Sequence, residues 1–461
     1  MPEIHPWMNY PRVNFSNKVH AMKFYDREEE LRLLAQTREQ AFSDHSRFTV
    51  ITGRRRIGKT KLILRSCEGT DTVYLFVARR NEGELCQRFA SVISSSLGIL
   101  YSPTTNYFSD IFSFLMELGR HRKFNLVIDE FQEFTHINES IFSEIQDVWD
   151  RLKDQTHVNL IVSGSVNSMM NRIFRDTGEP LYGRADRSMR LTTFGTGTIR
   201  EIMADFNPQF DNDDLLALYC FTGGVPKYVE MLMEAGAFTM EKMVDFIVRP
   251  DSFLLEEGNY LLIQEFGKKY GNYYSILSAI ASGRNTMAEI LSTMKGDSIG
   301  GQLRRLEEDY GIIRRHRPIL AKEGSQTLRF TIADNFLRFW FKYIVRNQDY
   351  IESGNLTGLA SLIKKDYPTY SGLVLEDWFR LKLAESKLYR NIGSWWENGA
   401  EPNELDVVAI GVEGKEVFIA EVKRQRRKFN PEAFYAKVDY VKNRLFDKYS
   451  ISTACLTLED M

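Results

Sequence analysis

Cysteine is scarce: there are four in 461 residues, Cys67, Cys86, Cys220 and Cys455, and none stands in C-x-x-C spacing. That excludes a zinc ribbon or a disulfide framework and suits a reducing compartment. Charge of one sign is missing too. The 60 Lys and Arg against 62 Asp and Glu give a formal net charge of −2, so any nucleic-acid surface has to be local. Long apolar runs are absent: even Phe336 to Val345 is interrupted by Arg338 and Lys342, which leaves no segment able to span a bilayer. The N-terminal stretch is polar, holds Pro2, Pro6 and Pro11, and lacks the apolar core of a signal peptide. These absences predict a cytoplasmic protein with no membrane partner.

What is present is a rhythm. Short β-rich runs at 48–52, 72–77, 124–128, 159–163 and 189–194 alternate with helical patterns such as 84–96 and 138–153. The expected fold class is α/β, with a parallel sheet covered on both faces. After an irregular arm at 1–20, the core is expected over 21–205. A helical lid follows at 206–265, and short helices leading into a hairpin fill 266–335, as in a winged helix with a polar turn at 322–326. Aromatic-rich helices and a last α/β unit occupy 336–461.

The chemistry starts at Gly53-Arg54-Arg55-Arg56-Ile57-Gly58-Lys59-Thr60, which fits G-x-x-x-x-G-K-[ST] directly after an apolar β-type run. Glycines let such a loop curl until successive backbone N–H groups face one anion, and the helix opening at Lys61 adds its positive end. Lys59 is placed to reach the β- and γ-phosphates and Thr60 to ligate Mg²⁺. About 70 residues on, Leu126-Val127-Ile128 runs into Asp129 and Glu130. Asp129 suits the Mg²⁺ shell and Glu130 the attacking water. ATP and Mg²⁺ are therefore the expected ligands. A further strand ends at Ser163-Gly164-Ser165, where either serine is a candidate γ-phosphate sensor.

The set formed by residues 53–60, Asp-Glu-Phe-Gln at 129–132, Pro-Leu-Tyr-Gly-Arg at 180–184 and Gly-Gly-Val-Pro at 223–226 resembles the archaeal-type ATPases of the STAND branch of AAA-like P-loop proteins. The resemblance covers roughly 20–335. It implies a five-stranded ATPase core, a lid and a winged helix, working as a nucleotide-controlled switch that assembles as a homo-oligomer with ATP. It also implies that Pro226 packs near the adenine, and that Arg184 is either a phosphate sensor or a finger offered to a neighbour. Gly-Ser-Val-Asn at 164–167 stands where the family carries Gly-Ser-Ser.

Two local features remain. Arg304, Arg305, Arg314, Arg315 and Arg317 surround a helix and strand of the winged-helix region, yet Glu307, Glu308 and Asp309 lie among them. Solvated charge or a domain contact accounts for them better than DNA, although DNA stays open. Further on, Glu404-Leu405-Asp406 and Ala420-Glu421-Val422-Lys423 read as neighbouring strands. Glu421 and Lys423 share one strand face, and Asp406 can join Glu421 in binding a divalent metal through oxygen. With Glu376 as the usual fourth member, this constellation resembles the PD-(D/E)xK nuclease fold, with Glu-Leu-Asp in place of Pro-Asp. Residues 423–428, with five basic side chains in six, make a candidate phosphate track for DNA. The alternative is a DNA-binding or scaffold protein whose terminal domain is catalytically inactive. Trp395 and Trp396 read as packing.

Overall fold

A computed structural model describes residues 22–461 except 104, 166, 268–270, 295–297, 323–326 and 398–402. The expected arm at 1–20 and most of the polar turn at 322–326 thus lie outside the described residues.

Strands β1 (Arg47–Thr52), β2 (Thr72–Phe76), β3 (Phe124–Asp129), β4 (Val158–Gly164) and β5 (Arg187–Arg190) form one parallel sheet in the order β2-β3-β4-β1-β5. Every residue of β3 and β4 is buried, as strands covered on both faces require. Alternation sorts their side chains between two cores. Phe48, Val50, Leu126, Ile128, Leu160 and Val162 face one, while Ile51, Val127 and Ile161 face the other, which also takes Leu34, Leu62 and Ile63. The register aligns the carboxyl ends of three strands, with Thr52 opposite Gly164 and Asp129 opposite Ser163, so the loops after them converge on one crevice.

β5 departs from expectation. It spans Arg187–Arg190, not 189–194, because the chain after Leu191 turns away toward the helices that follow, where Phe194 N donates to Gly224 O at 2.8 Å. Helices Asn212–Thr222, Pro226–Glu234, Met240–Ile247 and Leu254–Phe266 follow. Next come helices Gly271–Ala281, Met287–Leu291 and Gly300–Glu308 and an antiparallel pair, β6 (Ile313–His316) and β7 (Arg329–Ile332).

Helix Leu356–Glu385 runs 30 residues through Pro368. Proline costs it one backbone bond, but Leu359, Ile363, Tyr367, Tyr370, Val374 and Trp378 are buried along its length, and that packing outweighs the loss. Strands β8 (Tyr389–Trp396), β9 (Glu404–Gly411), β10 (Glu416–Val422) and β11 (Ser450–Leu456) complete a mixed sheet, β11-β10-β9-β8, with helix Pro431–Leu445 crossing between the parallel pair β10 and β11. One apolar cluster runs without a break from Leu215 in the lid through Leu306 and Ile332 to Trp378, Val407, Ala420 and Val422. One face of the second sheet therefore joins that core, while Trp395, Leu405, Val408, Ile419 and Phe434 form a separate cluster on its other side.

Candidate functional site

The turn after β1 is built on glycine. Gly53 sits at φ +154°, and a Cβ there would lie 2.9 Å from the carbonyl oxygen of Leu191; Gly58 sits at +91°. Both lie in backbone regions that L side chains avoid, and between them the chain turns straight into helix Lys59–Ser66. Lys59 is buried and its ammonium donates to Gly53 O at 2.8 Å and Arg54 O at 3.1 Å. Burial pulls its pKa down to about 8, against the opposing charges of Glu130 and Asp129.

Across the crevice, Asp129 is 3% exposed and accepts from Thr60 Oγ1 at 3.0 Å, Tyr74 OH at 2.5 Å and Ser163 Oγ. The two predicted metal ligands, Thr60 and Asp129, are thus in contact, and both offer oxygen, as hard Mg²⁺ requires. Tyr74 went unrecognised in the sequence. Burial, reinforced by Asp129, pushes its hydroxyl far up, so it remains a donor. Glu130 follows at φ +57° and accepts from Ser165 Oγ at 2.7 Å and Gln132 Nε2 at 2.5 Å. Of the two candidate sensors, Ser163 is engaged by Asp129 and Ser165 lines the cleft.

That cleft has a volume of about 390 Å³. Arg55, Ile57, Gly58, Lys59, Thr60 and Lys61 form its floor, Glu130 and Ser165 one side, Phe24, Tyr25 and Phe194 an apolar end, and Pro226, Lys227 and Glu230 the lid side. Pro226 opens its helix, and Lys61 reaches Glu230 at 3.6 Å.

The side chains of Arg54 and Arg56 reach helices Pro226–Glu234 and Leu254–Phe266, and Arg56 also lines the cleft. Arg56, at φ +68°, makes a two-point ion pair with fully buried Glu257, 2.8 Å between Nη2 and Oε2. Tyr228 OH donates to the same carboxylate at 2.7 Å. Arg54 reaches Tyr228 OH at 3.2 Å and pairs with Asp334, which caps the helix after β7.

Arg184 is elsewhere. It lies three residues before β5, at the opposite end of the sheet from the phosphate loop, and pairs with Asp150 at 2.9 and 3.0 Å. The expectation of a phosphate sensor within the same chain is therefore corrected: the residue stands beyond reach of its own cleft.

The second constellation assembles in part. Lys423 Nζ lies 2.9 Å from Glu421 Oε1, 3.6 Å from Asp406 Oδ2 and 3.2 Å from the carbonyl oxygen of Val422. Burial works against this ammonium, but the bond to Glu421 and the Asp406 charge raise its pKa. Glu421 Oε2 is buried without a hydrogen-bond partner and faces Lys437 Nζ at 3.6 Å. Burial raises the Asp406 carboxyl, although Val422 N donates to it at 2.8 Å. Glu376 does not join as a further metal ligand. Arg380 binds it at 2.9 Å, and among the described residues no three Asp, Glu, His or Cys side chains gather to hold a metal. Burial, partly relieved by Arg380 and reinforced by Asp406, lifts the Glu376 carboxyl to about 8. The basic track is partly engaged, with Arg424 bound to Asp213 at 2.7 Å and Arg426 to Asp460 at 3.3 Å. On the hairpin unit, Arg304 pairs with Glu308 at 2.7 Å and Arg315 with Glu307 at 3.2 Å. No helix among the described residues is long and apolar enough to cross a membrane.

Residues 24–232 match a family described as an ATPase domain predominantly from Archaea, and residues 340–433 match one described as archaeal and bacterial proteins of unknown function. An uncharacterized protein of Methanocaldococcus jannaschii is 32% identical over 409 residues, 87% of each chain. Among solved structures, a Walker-type ATPase of Pyrococcus abyssi superposes with a TM-score of 0.52 at 18% identity, over 69% of this chain and 96% of its own. The ORC2 protein of Aeropyrum pernix, solved in ADPNP–ADP complexes, gives 0.50 at 13% identity, over 72% and 95%. These two likenesses are likenesses of fold.

Proposed function

The chain belongs to the family of ATPases found predominantly in Archaea, and from that premise we propose that it is a nucleotide-controlled switch of the STAND type. ATP binds with Mg²⁺ between phosphate loop and lid, and its hydrolysis resets how the lid sits against the sheet. The observation that carries this reading is the shared wall of the cleft: the loop supplies Lys59 and Thr60 while Pro226, Lys227 and Glu230 of the lid close the other side. A ligand touching both bodies biases their relative arrangement by its differential affinity for each state.

In this reading the backbone amides of 53–60 and the Lys59 ammonium bind the phosphates. Thr60 and Asp129 hold Mg²⁺, which when bound neutralises phosphate charge. Glu130 orients the water and takes its proton as the oxygen–phosphorus bond forms and the bond to the departing ADP breaks. Pro226 and the aromatic end of the cleft take the adenine. Arg184, at the opposite end of the sheet from the phosphate loop, serves as a finger to a neighbouring copy in an ATP-bound homo-oligomer. Lys59→Ala should abolish ATP turnover, whereas Glu130→Gln should retain binding and lose hydrolysis. Wild-type turnover by Lys59→Ala would overturn the assignment.

Residues 266–335 are assigned to a winged helix and 336–461 to a connector with a nuclease-like effector that acts on or binds DNA. The succession of helix, three antiparallel strands, crossover helix and a parallel strand supports this, as does the meeting of Asp406, Glu421 and Lys423. Asp406 and Glu421 would hold Mg²⁺, and the partnerless Glu421 oxygen fits that use. A second reading, recognition without cleavage, is favoured by Glu376 standing outside the pair. Magnesium-dependent nicking of plasmid DNA, lost in Glu421→Ala and Lys423→Ala, decides for cleavage; DNA retention without nicking in wild type decides for recognition.

A further inference from the structure

We infer that Gln132 is the positioning residue for Glu130: it pins one carboxylate oxygen from behind and leaves the other to meet water in the cleft. Gln132 is fully buried in the short turn Phe131–Glu133 beneath β4. Its Nε2 and the Ser165 hydroxyl both donate to Glu130 Oε2, at 2.5 and 2.7 Å. Among the described residues no donor reaches Oε1, and Glu130 itself lines the cleft. The carboxylate is therefore held at one end and presented at the other.

Two costs concentrate on this contact. Glu130 adopts a left-handed backbone at φ +57°, uncommon for a residue with a side chain. The other end of the Gln132 amide, Oε1, is buried without a hydrogen-bond partner. Half-satisfied buried amides are expensive, and an apolar side chain of equal size would avoid the cost. The amide earns its place only through Glu130. The holder is also rigid. A Cβ on Gly164 would lie 2.4 Å from Gln132 Oε1 and 2.4 Å from Met170 Sδ, so this glycine is what admits the glutamine, which has no room to swing. Rigid support of a reacting group is how such a residue contributes to rate while leaving affinity alone.

The inference rests on the proposed role of Glu130, and the test separates the two. Single-turnover ATP hydrolysis and fluorescent ATP-analogue binding are measured for Gln132→Met, which keeps the buried volume and removes the donor. The kcat should fall about 10- to 100-fold, the worth of one charge-assisted hydrogen bond, with analogue affinity within about threefold of wild type. In a Glu130→Gln background the same change should cost less than about twofold, because the group it positions is already gone. If Gln132→Met fails to fold, Gln132→Asn, whose amide is too short to reach, should show the same pattern. Wild-type kcat in the variant that folds, or equal losses with and without Glu130, would overturn the inference. Undiminished hydrolysis by Glu130→Gln alone would instead overturn the role of Glu130.

Discussion

Replacing Glu257 by alanine tests whether the phosphate loop and the lid are joined through charge. The carboxylate is fully buried and accepts three hydrogen bonds from two residues, two from the Arg56 guanidinium and one from the Tyr228 hydroxyl, which in turn receives Arg54. Removing one member of a buried, hydrogen-bonded pair costs about 3–5 kcal/mol, because the other charge is left without compensation. The Arg56 side chain is 19% exposed and can recover part of its hydration, which places Glu257→Ala near the lower end, about 3 kcal/mol. Nucleotide affinity should fall with it, since Arg56 is itself a loop residue held at φ +68° and its release lets the loop sample other shapes. The paired replacement Arg56→Met with Glu257→Leu should restore most of the stability, because no buried charge remains, but not the affinity. Urea denaturation with an ATP-analogue titration measures both. A loss below about 1 kcal/mol for Glu257→Ala would refute the reasoning, since that is what an exposed pair is worth.

Three further outcomes follow from particular contacts. Gly258 lies in a helix where alanine ordinarily gains about 1 kcal/mol, yet a Cβ there would meet the Trp340 ring at 2.2 Å; Gly258→Ala should lower stability by about 2 kcal/mol or more in thermal denaturation. Burial pulls His316 down to about 4 from its ordinary 6.5, so between those pH values the unfolded chain takes a proton that the folded chain refuses. Stability should be intact above pH 6.5 and fall by up to about 3 kcal/mol as pH drops to 4, and His316→Gln should flatten that slope in urea titrations across pH. Arg184→Ala should leave ATP-analogue affinity of the monomer within about twofold, because the residue stands at the opposite end of the sheet from the phosphate loop; a larger loss would place it back in the cleft.

Much of the ATPase half was legible because its signals are local. The phosphate loop is contiguous, and β3 and β4 are apolar runs whose every residue is buried. β5 was harder to place because only Met189 of Arg187–Arg190 is buried, so its pairing to β1 decides its limits more than its composition does. The long helix through Pro368 was obscured for a related reason: proline argues against a helix locally, while Tyr367 and Tyr370 beside it are held by tertiary packing. The roles of Tyr74 and Gln132 depend on strand register and on the missing side chain of Gly164, and a pattern along one strand carries neither. Arg56 and Glu257 are 201 residues apart, and no periodicity links them. Asp406, Glu421 and Lys423 were readable as adjacent strands, whereas the bond from Arg380 to Glu376, one helical turn apart, was not.

The distribution of apolar and polar contacts also constrains which parts of this chain can move apart. The lid, the hairpin unit, the long helix and the inner face of the second sheet share one hydrophobic cluster, and separating any of them would expose Trp378, Phe339 or Val407 to water. Burying such side chains is worth about 1.5–3 kcal/mol each, so motion within that body is costly. The seam between that body and the phosphate loop is different in kind. It is held by Arg54 with Asp334, Arg56 with Glu257, Lys61 with Glu230 and the Lys227 N–Arg56 O hydrogen bond at 3.4 Å. Polar pairs can re-form with water or phosphate when they part, whereas an opened apolar core has no comparable substitute. Under the proposed switching, a displacement at the phosphate loop would act on that whole body at once, because the inner face of the second sheet shares its core.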